Sequence, residues 1–149
     1  MATLTKHARV VVVGQGGIVG ASVVHHLIEE GWDDIVWLEK SAIPTDIGST
    51  SHASDFCYMT SHDKLNVEIT NYSREFYAKR GNYIQTGGLE VARKGDDERM
   101  LELIRKVGSG KAFGTNAYMI SAAEAKEKFP LLEEDQIQGA LWDPDAGLV

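Results

Sequence analysis

At 149 residues with 43% apolar content, the chain has the make-up of one globular domain with enough material for a core. A formal net charge of −7 argues against a nucleic-acid partner, because a phosphate backbone requires clustered Lys and Arg. The one cysteine, Cys57, excludes an intramolecular disulfide framework and fits a reducing compartment.

The opening residues, MATLTKHARV, carry too short an apolar run for a secretory signal and too little Arg for a transit peptide. No later stretch approaches the length of a membrane span, so a cytoplasmic location is expected. A β-branched run, Val10 to Val13, then reads as a parallel strand covered on both faces. Gly14, Gly16, Gly17 and Gly20 follow, where the backbone can approach a pyrophosphate closely. The amphipathic segment after them is a helix whose N-terminal N–H groups face that anion. A second strand ends at Glu39, a carboxylate able to accept hydrogen bonds from ribose hydroxyls. The glycine spacing departs from the common dinucleotide fingerprint. Counted from Gly14 and Gly16, the third glycine position falls on Val19. Counted back from Gly20, Gly17 is second and Gln15 first. The loop is one residue longer, yet glycine-rich enough to form an anion nest. A tight turn with no ligand is the plain alternative, and the ordered strand, helix and acid favour the nucleotide. The acid disfavours a phosphorylated ribose, hence NADP, and does not separate NAD from FAD. His25 and His26 fall inside the helix as surface or partly covered residues.

After Glu39 the sequence is rich in Ser, Thr, Asp and His with little periodicity, which predicts a long loop or short helix. Leu65, Ile69, Tyr72 and Phe76 recur at helical spacing, and Gly81 ends that helix. Residues 83–86 and 89–92 read as short strands broken by Gly87 and Gly88. Asp96 opens another helix, with Met100, Ile104 and Val107 on one face. Ser121 and Glu124 form a capping box for a short helix that stops before Pro130. Residues 137–142 read as a strand and 143–147 as a turn. No internal repeat or low-complexity tract interrupts this order.

The hydroxyl-rich stretch 48–55, with His52 inside it, lies only a few residues beyond the ribose-binding strand. Three chemistries compete there with a plain solvated loop. A metal site could use His52, Cys57 and His62 with Asp55 or Asp63, but five-residue steps do not match the usual zinc spacings. A Ser-His or Cys-His nucleophile pair needs a partner that only a fold can supply. The third reading, a loop lining the cofactor's redox ring, fits its place after the nucleotide unit.

The order of Gly14 to Gly20, Glu39 and Gly48-Ser49-Thr50-Ser51-His52-Ala53 resembles the N-terminus of FAD-dependent dimethylglycine and sarcosine dehydrogenases or oxidases, members of the D-amino-acid-oxidase-like flavoenzymes. The resemblance continues collinearly through Gly87-Gly88-Leu89-Glu90-Val91-Ala92, Met119-Ile120-Ser121-Ala122-Ala123-Glu124, Phe129-Pro130-Leu131-Leu132 and residues 139–147. It implies an α/β fold: a βαβ Rossmann-type FAD-binding unit (1–47), then a flavin-contacting loop with α+β elements (48–149), together an incomplete domain. The implied cofactor is FAD. Its expected contacts are Gly14, Gln15, Gly16, Gly17, Ile18, Val19, Gly20, Glu39, Lys40, Ser49, Thr50, Ser51 and His52. In that family the histidine matching His52 can carry a covalent bond to the flavin 8α-methyl. Relatives often have Ala-Gly or Pro-Gly after His-Ala, where this chain has Ser54-Asp55. The implied reaction is oxidation of the C–N bond of an N-methylated amino acid or related amine by hydride transfer to the flavin. No catalytic residue and no metal ligand is assigned. Relatives continue for hundreds of residues, so the isolated chain is expected to bind FAD weakly without turnover. An NAD-binding dehydrogenase fragment and a non-catalytic subunit completing a partner's flavin domain are the alternatives.

Overall fold

Two parallel strands and one helix form the N-terminal part. β1 (Val10–Val13) pairs with β2 (Ile35–Leu38), Val11 opposite Val36 and Val13 opposite Leu38, and α1 (Ile18–Glu29) is the crossover. This computed structural model describes residues 5–149, so the first four residues of the stretch judged too short for a leader lie outside it. Contacts divide the chain into two units, Met1–Ser54 and Asp55–Val149. In the first unit α1 turns Gly20 and Val24, four residues apart, inward. Gly31, in the left-handed region at φ 81°, ends the helix as glycine does at this position. The strand differs from expectation in one respect. Val10 and Val12 are half-buried, but Val11 and Val13 remain 55% and 79% exposed. A single helix covers a single sheet face, and alternate side chains of β1 lie on the other.

The second unit is built around a sheet in the order β5 (Gly88–Arg93), β7 (Ile137–Asp143), β6 (Tyr118–Ile120), all antiparallel. Ala140 and Leu141 are neighbours in β7 and so point to opposite faces. Leu141 joins Ala92 and Ala117 under α3 (Asp97–Ala112), which contributes Leu103 and Val107. Ala140 joins Ile120 and Ile137 under α4 (Ala122–Lys128), which contributes Ala125. The helix read from Leu65 to Phe76 is α2 (Lys64–Lys79), capped by the Asp63 side chain accepting from the Asn66 N–H and followed by Gly81 at φ 74°. Asp96 likewise caps α3, and the Ser121–Glu124 capping box is complete on both sides.

In a second small sheet, β3 (Phe56–Cys57), β8 (Gly147–Leu148) and β4 (Ile84–Gln85), only β4 answers a strand read from the sequence, at 83–86. Two-residue strands are too short to alternate. The turn between β7 and β8 is also a clasp. Asp143 is fully buried, and its Oδ2 accepts from the Met59 and Thr60 N–H groups at 3.0 and 2.9 Å. The next acid, Asp145, is held by Arg74 at 3.3 Å and by Asn116 Nδ2 at 2.7 Å, and its carbonyl accepts from the Tyr83 hydroxyl at 2.6 Å. Among the described residues no helix is long and apolar enough to cross a membrane.

Candidate cofactor site

The glycine loop does what its sequence requires at two points. Gly14 takes φ 87°, a left-handed conformation, while its N–H donates to the Leu38 carbonyl at 2.8 Å and so ties the loop to the end of β2. At Gly20 a Cβ would lie 2.3 Å from the Gly14 carbonyl oxygen, so only glycine lets the first turn of α1 sit against the loop. Gly17 is the N-cap of α1 and has no side chain to satisfy the helix's first N–H groups. Two side chains from elsewhere reach that end instead.

The first is Glu39, immediately after β2. Its Oε2 accepts from the Gly16 N–H at 2.8 Å, and Oε1 accepts from the Lys40 N–H at 2.8 Å and the Ser41 N–H at 3.2 Å. The Ser41 hydroxyl also donates to Oε1 at 3.2 Å and lies 2.9 Å from the Thr45 hydroxyl. These donors, the Gly16 amide foremost, hold the Glu39 carboxyl below the ordinary carboxylate range. The second is Thr50, whose Oγ1 accepts from the Ile18 N–H at 3.0 Å. A single carboxylate and a single hydroxyl thus converge on the start of α1.

A cleft of about 390 Å³ opens beside them at the C-terminal ends of both strands, lined by Val13, Gly14, Leu38, Glu39 and Lys40. Apolar walls with one carboxylate suit a flat base carrying a ribose diol. The adjoining helix start suits a pyrophosphate. Gln15, the first position of the motif counted back from Gly20, has its Oε1 buried with no partner among the described residues, an acceptor awaiting a donor.

Ser49, Thr50, Ser51 and His52 form one 3₁₀ turn, Ser49–His52, and all four are exposed. His52 Nδ1 lies 2.9 Å from the Gly48 carbonyl, which can only accept, so the ring proton sits on Nδ1 and the lone pair on Nε2. The Ser51 hydroxyl donates to the same carbonyl at 2.8 Å. Of the remaining sequence candidates, Val19 is 75% exposed and Lys40 points outward, contributing its backbone N–H. Ser41, which braces Glu39, and Thr45, which meets the Ser41 hydroxyl, were not among the candidates; a hydroxyl two residues after a strand-end acid is the signal for Ser41. The Ser54-Asp55 departure has a backbone reading: Asp55 takes φ 58°, where a glycine would be unstrained.

His62 lies 3.6 Å from Glu102, and burial pushes the Cys57 thiol up, with Asp55 adding to it. Among the described residues no group of three His, Cys, Asp or Glu side chains could hold a metal ion.

Comparison with known proteins gives this geometry a family. The model described as DAO, FAD dependent oxidoreductase, matches residues 9–149. The mitochondrial sarcosine dehydrogenase of Mus musculus is 30% identical over 97% of this chain. The mitochondrial dimethylglycine dehydrogenase of Rattus norvegicus is 32% identical over 94% of it. The mitochondrial pyruvate dehydrogenase phosphatase regulatory subunit of Mus musculus is 31% identical over 98%. The chain spans only 16–17% of the length of these three relatives. Among solved structures, L-proline dehydrogenase from P. horikoshii superposes with a TM-score of 0.87 at 30% identity, over 98% of this chain and 39% of that one. The chain therefore belongs to the DAO family of FAD dependent oxidoreductases.

Proposed function

We propose that the chain is the FAD-anchoring part of an oxidoreductase acting on N-methylated amino acids or related amines, of the sarcosine and dimethylglycine type. The observation that carries this reading is the convergence of Glu39, the Gly16 amide and the Thr50 hydroxyl on the start of α1, beside an apolar cleft. FAD bound there supplies the hydride acceptor; the chain's own residues hold it. Glu39 accepts from the ribose hydroxyls of the ADP half, its ionisation secured by the amides around it. The N–H groups of the glycine loop meet the pyrophosphate. Gln15, Ile18, Val19, Lys40, Ser49 and Ser51 complete the contact set. The family match supports FAD over the NAD alternative.

His52 is the residue proposed to bond the flavin 8α-methyl carbon. Its Nδ1 proton is directed to the Gly48 carbonyl, which leaves Nε2 as the nucleophilic nitrogen. The full amine-oxidising activity is proposed for the longer protein that the relatives represent, and the 149-residue chain alone is expected to bind FAD without turnover. Calorimetric titration with FAD and with NAD tests the anchor: FAD should bind, Glu39→Gln should weaken it, and equal binding of NAD would remove the reading. For the histidine, flavin colour retained by the denatured holoprotein should vanish in His52→Ala. Colour retained in both would remove that assignment.

A second reading draws on the phosphatase regulatory subunit among the relatives. The chain then completes a flavin domain in a partner without turning over an amine. Tight association with a larger chain, formed before any flavin is bound, would favour it.

A further inference from the structure

We infer that a cleft between β5, β7 and the end of α4 binds a small carboxylate with a flat apolar body, at a site assigned by neither the glycine loop nor the family match. The cleft has a volume of about 290 Å³ and lies wholly within the second unit. Its walls are Phe56 and Tyr58, packed edge to face at 4.8 Å, together with Trp142 and Phe129. Two features fix these walls in place. Gly87 takes φ 74°, and a Cβ there would lie 2.0 Å from the Trp142 indole, so the ring rests against bare backbone. The Tyr58 hydroxyl donates to the Leu89 carbonyl at 2.6 Å, which orients its ring.

The charge at the mouth decides the ligand. Among the described residues Lys128 is the only cation lining the cleft, and its Nζ stands 4.3 Å from the centroid of the Trp142 ring. Lys128 forms no salt bridge among the described residues, unlike Lys106, which pairs with Glu90, although the Lys128 charge acts on the Glu124 carboxyl one turn back along α4. An ammonium stacked on an aromatic face keeps N–H donors free for a further acceptor. A carboxylate satisfies both the charge and the donors, and its apolar body meets the rings. An amine of similar shape meets like charge instead. The site is therefore unsuited to the free amino group of an amine, and the inference stands whether or not the flavin reading holds.

The test is calorimetric titration of the 149-residue chain, without cofactor, using phenylacetate, neutral phenylacetamide and cationic phenethylamine. Phenylacetate should bind with one-to-one saturation, at least about tenfold more tightly than the amide, as one charge-assisted hydrogen bond requires. Phenethylamine should show no saturation. Lys128→Met should weaken phenylacetate by a similar factor and leave the amide unchanged. Lys128→Arg should restore binding to within a few-fold. Lys128 is exposed, so neither substitution disturbs the core. Equal binding of acid and amide, unaltered binding in Lys128→Met, or no saturation by phenylacetate up to its solubility would each overturn the inference.

Discussion

At single residues, the site depends on a few backbone positions and one carboxylate. Asp55 carries a side chain at φ 58°, which costs an L-residue about 1–2 kcal/mol, less for Asp than for most. Asp55→Gly should raise stability by about 0.5 kcal/mol after glycine's larger unfolded-state entropy is subtracted, read as the midpoint of urea unfolding. Glu39 makes a pH prediction with a definite sign. Its folded pKa lies below the ordinary 4.5, so its contribution is present above the unfolded value and is lost as pH falls through the depressed one. Binding of AMP to the chain should accordingly persist through pH 4.5 and fade only in more acid solution. In Glu39→Gln the residual binding should lose that acid limb. A fluorescence titration across pH distinguishes the two, and identical profiles would show that Glu39 does not touch the ribose. Glu39 was legible in the sequence because a strand-end acid has one common purpose after a glycine loop. Thr50 was legible only as a member of a hydroxyl-rich run. Its bond to the Ile18 N–H joins residues 32 positions apart, a distance no local pattern reports.

At the level of elements, strong local signals survived and weak ones did not. Asp63, Asp96 and Ser121 cap their helices because each side chain answers an N–H three residues on, a relation written in the sequence. β3, β6 and β8 escaped notice because two or three residues cannot display a period, and their pairing partners lie far along the chain. Gly87-Gly88 reads as a strand break, yet Gly88 opens β5; the glycines serve the packing of Trp142, Phe56 and Tyr58. Gly87→Ala should therefore cost about 3 kcal/mol, combining left-handed strain with overpacking, and should change near-ultraviolet circular dichroism from the indole. The tyrosines of this region supply a second test. Burial first, then Glu90 and Asp143, push Tyr58 up to about 12, and burial pushes Tyr83 to about 12. Their neutral forms stabilise the fold below the unfolded value of 10 and lose that effect as pH rises through 12. Tyrosinate absorbance should show two late-titrating groups that move toward 10 on unfolding.

Across the molecule, the two units differ in how much they bury, and this should govern their dynamics. The second unit has two apolar clusters on either side of β7 and the buried Asp143 carboxylate holding Met59 and Thr60 to the end of that strand. The first has one helix on a two-stranded sheet, with Val11, Val13 and Leu38 exposed on the other face. The overall α/β character could be read from the order of β-branched runs and helical stripes. The exposure of β1 could not, because a run of four valines specifies a buried strand without specifying what buries it. Parallel strands reach their usual stability only when both faces are covered. Hydrogen exchange should thus find β7 amides opening only with global unfolding and β1 and β2 amides opening at far lower free energy. Ligand that bridges Glu39 and the start of α1 binds only the closed form of the first unit, so it raises that opening energy by RT ln(1 + [L]/Kd). With FAD at a hundred times its Kd the shift should be about 2.7 kcal/mol, confined to β1, α1 and β2. Asp143→Ala should have the converse pattern: two buried backbone N–H groups and the part-buried Asp145 N–H lose their acceptor, the β7 amides lose protection by about 3 kcal/mol, and β1 exchange is unchanged. Uniform protection across both units, or a FAD effect spread evenly over them, would show that the chain opens as one body and that the cofactor's anchor draws its stability from the whole fold.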